Sequence, residues 1–528
     1  MKIIVRNIRL PISQTEREAM EQAAGRLAPL IDKKDIKGKC IFRRSLDVRH
    51  KKLTFVYSVA IETDACIDVS SLEKYDSVQL NEADPLEAIS RGDEVSENRP
   101  VIVGFGPCGM FCALVLAEQG YRPIVLERGE NVLSRAQKVG VFIREGILDT
   151  ESNIQFGAGG AGTFSDGKLV TRINDLRTGY VLKRLYEFGA PKQIMLNAKP
   201  HIGTDKLLSV VSAIDLRIRE LGGEVRYGTK VTGIKTDASG KAYAVMTEQG
   251  DVPCSQLVLA IGHSARDTYS LLLDSGFNMA AKPFSVGVRI EHLREDIERA
   301  MFGDEAGNPV LPSAEYALSK RVQDDCVYTF CMCPGGEVVA AASEQGGVVT
   351  NGMSRFKRDG RNSNAALVVS VMPEGDPIEF QRRLENKAFV IGGSDYKAPI
   401  QTVQGFLSGR SGSSPKKVMP TYRRGQVKEA DISKLFPQKI NNMLKLGLRD
   451  FDRKIKGFAD PQAVLTGVES RTSAPYRILR GEGMNAIGYD NIYPCGEGAG
   501  YAGGITSAAV DGVKAAEQII KRFSPSKD

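Results

Sequence analysis

Three aliphatic residues, Val101, Ile102 and Val103, run directly into G-F-G-P-C-G, and no other stretch narrows the fold as far. The apolar segment Met110 to Leu116 follows, then Gly120 and a second aliphatic run ending at Glu127. That order reads as strand, tight turn, helix, strand. Each glycine has its own reason. Gly104 permits the tight turn, Gly106 lets the backbone approach a pyrophosphate, and Gly109 lets the helix pack closely on the strand. The phosphates would face the positive end of the helix dipole. Glu127 stands 127 − 104 = 23 positions beyond the first glycine. A carboxylate there accepts hydrogen bonds from ribose hydroxyls and repels a 2′-phosphate.

Further segments extend this nucleotide-binding reading. Ala158 to Lys168, AGGAGTFSDGK, is a second glycine-rich loop that frees the backbone to touch a ligand. Thr204 to Leu221 has apolar residues at three- and four-residue spacing and predicts a helix with Thr204 as N-cap. QLVLAIGHS predicts a buried strand, and the chain ends in the short apolar run of NIYPCGE, a glycine loop and a helix starting near Gly504. No second strand, G-x-G-x-x-G turn, helix and strand in that order follows the first, so a nicotinamide nucleotide would have to dock directly over the first ligand.

Length divides the rest. At about 150 residues per domain, 528 residues suggest about three domains or two with large insertions. Residues 1–95 predict a small basic α+β unit: a strand over 2–10, a helix over about 14–30, and strands over about 38–44 and 53–61. Its first 55 residues hold 14 Lys and Arg against 6 Asp and Glu, more than the whole net charge of +7. Residues 71–100 read as a polar connector. Residues 96–275 and 456–528 form the nucleotide-binding unit, with an inserted unit at 276–455 whose runs at 338–342 and 366–371 predict strands. The stretch 408–425 carries five basic residues and no acid. A basic face can meet RNA or simply stay solvated.

No apolar run approaches the roughly 18 residues of a membrane span, and the N-terminus carries no apolar signal core. A cytoplasmic protein is expected. Nine cysteines without regular spacing describe no disulfide framework, and four histidines (His50, His201, His263, His292) without i, i+4 pairing give a metal site little support.

GFGPCGMFCA resembles the first fingerprint of FAD-binding proteins of the glutathione-reductase type, LVLAIG is similar to that superfamily's late strand, and NIYPCGE resembles its C-terminal motif. GGAGTFSDGKL, CMCPGGEVVAAASE and ESRTSAPYRI resemble bacterial FAD-dependent dehydrogenases of uncharacterised substrate. The resemblance covers nearly the whole chain. It implies an α/β protein: a Rossmann-like FAD-binding domain, an inserted α+β substrate domain and a small N-terminal α+β, ferredoxin-like domain. It implies FAD as cofactor, with NADH or NADPH as a possible electron donor, and hydride transfer to or from a small organic molecule. The pyrophosphate falls to Gly104, Gly106 and Gly109, with Gly160, Gly162, Thr163, Ser165 and Asp166 nearby. Adenosine ribose falls to Glu127, adenine to the backbone of Val231 and the ribityl chain to Glu497, where Asp is the commoner acid, with Arg128, Gly262 and Gly496 as further cofactor-binding positions. The N–H groups at Gly504, Ile505 and Thr506 would face the flavin N1–C2=O edge, where negative charge develops on reduction.

Candidates for chemistry are His263, Arg289, Glu291, His292 and Arg471. Arg289 and Glu291 share a strand face by alternation and read as an ion pair or an active-site pair. His263 ends a strand of the nucleotide-binding sheet or begins a helix at the surface. Arg471 would orient an anion or pair with Glu469. Cys331 and Cys333 are neighbouring core thiols or a redox pair, and Cys495 is buried. Two other classes of function stay open: an RNA-associated flavoprotein, with Phe55 and Tyr57 as a stacking platform, and a flavin-containing assembly factor without turnover.

Overall fold

The computed structural model describes residues 1–49, 52–80, 89–410 and 414–527. Its centre is a five-stranded parallel sheet in the order Ile492–Pro494, Leu257–Leu259, Val101–Val103, Ile124–Leu126, Glu224–Arg226. Four of the five strands are buried along their whole length, as a parallel sheet covered on both faces requires. The helix Pro107–Glu118 is apolar almost all round because it lies between this sheet and two other helices, Thr204–Glu220 and Ile505–Arg522. Thr204 does not cap its helix. Gly203 holds that position, and the Thr204 hydroxyl donates to the Thr163 carbonyl at 2.5 Å.

The N-terminal unit is an antiparallel sheet in the order Ile36–Asp47, Thr54–Thr63, Lys2–Pro11, Ser77–Gln79, with the helix Glu16–Leu27 against one face. Thr15 caps that helix through a reciprocal capping box with Glu18. Residues 77–79, expected in the connector, instead pair with Ile3 to Val5. Phe55 and Tyr57 are 5% and 2% exposed, facing the unit's own core. The stacking platform is therefore corrected: alternation chose the buried face, and no base can reach those rings. The unit docks through Arg44, whose guanidinium donates to Asn197 Oδ1 at 3.3 Å and whose carbonyl accepts from Ala198 N–H at 2.8 Å. Residues 92–94 then run along the end of the C-terminal helix, with Gly92 N–H on the Ile520 carbonyl and Glu94 paired to Arg522.

The inserted unit is built on a seven-stranded sheet, Ser319–Val322, Asp325–Cys333, Asn362–Val371, Phe284–Leu293, Val464–Glu469, Ala398–Thr402, Val427–Glu429. Val464–Glu469 lies beyond the expected division at 455/456, so this sheet draws on more of the chain than the length argument suggested. Its middle strand, Phe284–Leu293, is buried throughout. Arg289 and Glu291 do share a face there, but they are not an ion pair. Arg289 forks onto both oxygens of Glu469 on the neighbouring strand at 2.8 and 2.9 Å, while Glu291 accepts from Asn362 and Thr421. A diagonal partner across the ladder meets a long side chain more readily than the next residue on its own face.

Part of the basic stretch (411–413) and His50 lie outside the described residues. Among the described residues, no helix is long and apolar enough to cross a membrane, and no group of three or more His, Cys, Asp or Glu is placed to hold a metal.

The contact of Pro107–Glu118 with Ile505–Arg522 is checkable at Gly512, where an added Cβ would stand 2.1 Å from the Cys108 carbonyl oxygen. Helix propensity alone favours alanine over glycine by about 1 kcal/mol, whereas overpacking costs roughly 1–3 kcal/mol. A clash with backbone cannot be relieved by a rotamer change, so Gly512→Ala is expected to lower the melting temperature. Gly25→Ala, at an exposed helical position with nothing within 4 Å, is expected not to lower it. Equal gains in both variants would mean that the two helices are not packed as described.

Candidate functional site

A cavity of about 510 Å³ opens where the carboxyl ends of the parallel strands face the seven-stranded sheet. Ligands of open parallel sheets gather at that edge, and the volume is ordinary for a small-molecule site. Six separated segments of the nucleotide-binding unit reach it. Gly104 and Gly106 come from the first turn, Glu127 and Arg128 from the end of the second strand, and Gly160, Gly162, Ser165 and Asp166 from the glycine loop. Val231, Gly262 and His263 line it further along, as do Glu497 and the helix start at Gly504 and Ile505. The opposite wall belongs to the inserted unit, with Tyr316, Thr329, Cys331, Asn351, Glu469 and Arg471.

The turn geometry follows from the glycines. Gly104 has φ +102°, and a Cβ on it would meet the Ala260 carbonyl at 2.4 Å. At Gly106 the backbone is ordinary, and a Cβ would find only Gly160 Cα at 3.7 Å, leaving the rest of a larger side chain in the cavity. Gly109 lies beneath the turn, its absent Cβ making room for the Gly104 carbonyl oxygen 1.9 Å from where that carbon would be.

Glu127 is 5% exposed and organises the wall. Its Oε2 accepts from Phe105 N–H at 2.8 Å, and its Oε1 accepts from Gly129 and Gly157 N–H, each at 2.9 Å. A carboxylate has about four acceptor positions, so roughly one remains for a ligand hydroxyl. Arg128 stacks 4.2 Å above the Phe156 ring and pairs with Asp267 and Glu151.

Glu497 is the opposite case: among the described residues, its carboxyl group has no hydrogen-bond donor. Burial pushes its pKa up to about 7, against the pull of Lys282. His263 is pushed down to about 4 by burial, then by Arg471 and Arg266, so the imidazole is neutral near pH 7, with Nδ1 2.9 Å from Ser264 Oγ.

Two ion clusters close the cavity. Asp166 receives Arg358 Nε at 2.9 Å together with Lys168 and the Ser354 hydroxyl, which pins the glycine loop to the inserted unit. Burial opposes its charge, yet these cations hold its carboxyl well below the usual range. Arg471 is not partnered by Glu469, as expected, but by both oxygens of Glu385 at 2.8 and 3.1 Å and by Ser343. Glu385 also takes both terminal nitrogens of Arg266. The Arg471 guanidinium is thus already committed to a carboxylate.

Several expected site residues are not on the cavity wall. The Thr163 hydroxyl donates to the Ala158 carbonyl, the Thr506 hydroxyl to the Leu169 carbonyl, and Gly496 N–H to Asp511. Arg289, Glu291 and His292 stand inside the seven-stranded sheet. His292 Nε2 is 2.7 Å from the Phe458 carbonyl, and burial pushes the Glu291 carboxyl up. Tyr316 was missed. It is 7% exposed, its hydroxyl has no partner among the described residues, and nothing in GNPVLPSAEYALS marks it.

Comparison with known proteins adds the following. A family model described as "FAD-dependent protein, C-terminal domain-like" matches residues 283–472, and a domain of unknown function matches residues 2–62. An uncharacterized protein of Clostridium beijerinckii is 45% identical over 509 residues, 94% of this chain and 95% of that protein. Solved structures overlay only loosely. The L-proline dehydrogenase of P. horikoshii has 11% identity and a TM-score of 0.34 over 81% of this chain and 94% of that one. FqzB has 12% identity and a TM-score of 0.36 over 81% and 77%. Likeness at that level carries no argument about this chain.

Glu497 offers a pH test in ligand-free protein. Between about 4.3, the ordinary glutamate value, and about 7, the folded chain holds a proton that the unfolded chain has released. That proton's stabilising contribution is complete below the lower value and lost as pH rises through the upper one. Glu497→Gln is therefore expected to hold its melting temperature across this window better than the parent, with the gap closing at the acidic end. Parallel melting curves would contradict the assignment.

Proposed function

The chain belongs to one family with the Clostridium beijerinckii protein and carries, over residues 283–472, the C-terminal domain of FAD-dependent proteins; on that footing we propose an FAD-dependent oxidoreductase acting on a small organic molecule. One observation carries the reading: six segments far apart in sequence, three of them glycine-rich, converge on a single cavity.

The residues present suit the cofactor. Gly106 and Gly160 leave open a floor that side chains would fill, for the pyrophosphate. A Cβ on Gly160, at φ +61°, would stand 2.9 Å from Gly106 Cα. Glu127 keeps about one acceptor position for an adenosine ribose hydroxyl, with Arg128 and Val231 alongside. The unpartnered Glu497 would meet the ribityl hydroxyls. When bound, FAD would supply the two-electron chemistry, passing hydride through N5.

The chain supplies position and field. The helix Ile505–Arg522 starts at the cavity, and its first N–H groups and positive dipole end would favour negative charge on a ligand edge beside Gly504. The substrate would lie against Tyr316, Thr329 and Asn351. Neutral His263 can donate or accept a hydrogen bond there, while the buried Tyr316 hydroxyl has hydrogen-bonding capacity to offer. The Arg471 guanidinium, already held by Glu385, gives no reason of its own to prefer an anionic substrate. NADH and NADPH are the electron donors to try first.

Purified protein is expected to be yellow and to retain FAD. Gly106→Val is expected to weaken FAD binding at least about tenfold, equivalent to about 1.4 kcal/mol, by filling the pyrophosphate floor. The backbone at φ −80°, ψ −177° tolerates valine, so the loss should exceed any drop in melting temperature. Colourless protein that takes up no added FAD, or a Gly106→Val variant with unchanged affinity, would end this reading.

A further inference from the structure

The strand Asp325–Cys333 does not run straight to its end. Its register against Asn362–Val371 breaks between Phe330 and Cys333, and Cys331 sits at φ +43°, a conformation that non-glycine residues adopt at a cost. The break places Cys331 on the cavity wall, with Cys333, two residues on, fully buried. The two are in contact: the Cys333 Sγ–H donates toward the Cys331 carbonyl at 3.4 Å, and the same carbonyl accepts from Arg289 Nη1 at 2.9 Å.

The surroundings are those of a reactive thiol. Arg289 is immobilised by Glu469, Asn351 and Asn364, so its charge stays beside Cys331. Lys168 adds a second cation, and Asp166 opposes it. The neighbouring Cys333 thiol, then Arg289 and Lys168, hold the Cys331 thiol below its ordinary range although burial pushes the other way. Glu497, whose own ionisation responds to charge on Cys331, stands across the same part of the cavity. Packing alone does not account for a thiol turned out of its strand at a strained backbone toward fixed cations.

We propose that Cys331 and Cys333 are a redox-active dithiol that exchanges one electron pair with the bound FAD. The proposal rests on the FAD reading above. In the forward direction, a bond forms between the Cys331 thiolate sulfur and the Cys333 sulfur while the Cys333 S–H bond breaks. The isoalloxazine takes the two electrons and the one proton, so charge and atoms balance, and the reverse step reduces the disulfide. Arg289 is then a positioning residue that favours the thiolate.

Two measurements test this. Anaerobic dithionite titration of the aerobically purified, FAD-loaded protein is expected to consume two electron pairs per flavin, falling to one pair in Cys331→Ser and in Cys333→Ser. Cys495→Ser is expected to keep two pairs, because the other close thiols, Cys108 and Cys495 with sulfurs 3.1 Å apart, are not the centre proposed. Independently of flavin, alkylation of the denatured oxidised protein should find seven of the nine cysteines free, with Cys331 and Cys333 linked on one peptide; reduction should free all nine. One electron pair per flavin in the parent, nine free thiols in the oxidised protein, or loss of the second pair only in Cys495→Ser would overturn the dithiol while leaving the FAD reading intact. Protein unable to bind FAD would refute that reading instead, and the thiol count would still decide whether the disulfide forms.

Discussion

Three backbone amides from three places in the chain end on one carboxylate, and the glycine-rich side of the cavity depends on it. Glu127 takes the N–H groups of Phe105, Gly129 and Gly157. These belong to the fingerprint turn, the exit from the second strand and the glycine loop. All three amides are buried, so none has water as an alternative, and an orphaned buried donor costs about 1–3 kcal/mol. A side chain without two acceptor oxygens would leave the loops free to part. The acid at this position is therefore structural first, and about one acceptor position is what remains to it after the backbone is served.

The opposite wall is held by charge in the same sense. Asp166 ties the glycine loop to Arg358 and Ser354 of the inserted unit, and Glu385 gathers Arg266 from one unit and Arg471 from the other. Buried pairs of this kind are weak evidence for stability, since desolvation offsets much of the attraction. They are strong constraints on geometry, because removing one partner leaves a buried charge alone. Two units that share such clusters are held in one relative position, and the cavity between them keeps its shape.

What was legible in the sequence follows the range of the interactions. Short aliphatic runs followed by glycine announce buried parallel strands and turns from local information alone, and Val101–Val103, Leu257–Leu259 and Ile492–Pro494 lie where that pattern put them. Partners across a sheet are another matter. Arg289 meets Glu469, 180 positions away, and Arg471 meets Glu385, 86 positions away, rather than the acids closest to them in sequence. Period-two alternation gives the face of a strand but not its neighbour, and it cannot say whether an aromatic face meets solvent or a helix. Phe55 and Tyr57 were on one face, as read, and that face was the core. Tyr316 and the bulge at Cys331 had no local signal, because each acquires its meaning only when the inserted unit closes over the cavity.

The electrostatic state of the cavity comes down to a single proton more than to its net charge. The start of the helix at Ile505 presents positive partial charge to any ligand edge beside it, and this favours electron-rich states. Glu497 sits on the same wall without a partner, and burial raises its pKa to about 7. Ionised, it opposes the helix. Protonated, it turns from acceptor to donor and leaves the helix field unopposed. Arg289, Arg358, Arg471 and Lys168 are each committed to carboxylates, which leaves Lys282, held by Ser473, as the cation that pulls on Glu497. A ligand that gains negative charge in this cavity would raise the proton affinity of Glu497 further, because like charges in a dry site disfavour each other. Charge arriving on the ligand and a proton arriving on the protein are thereby coupled through one side chain.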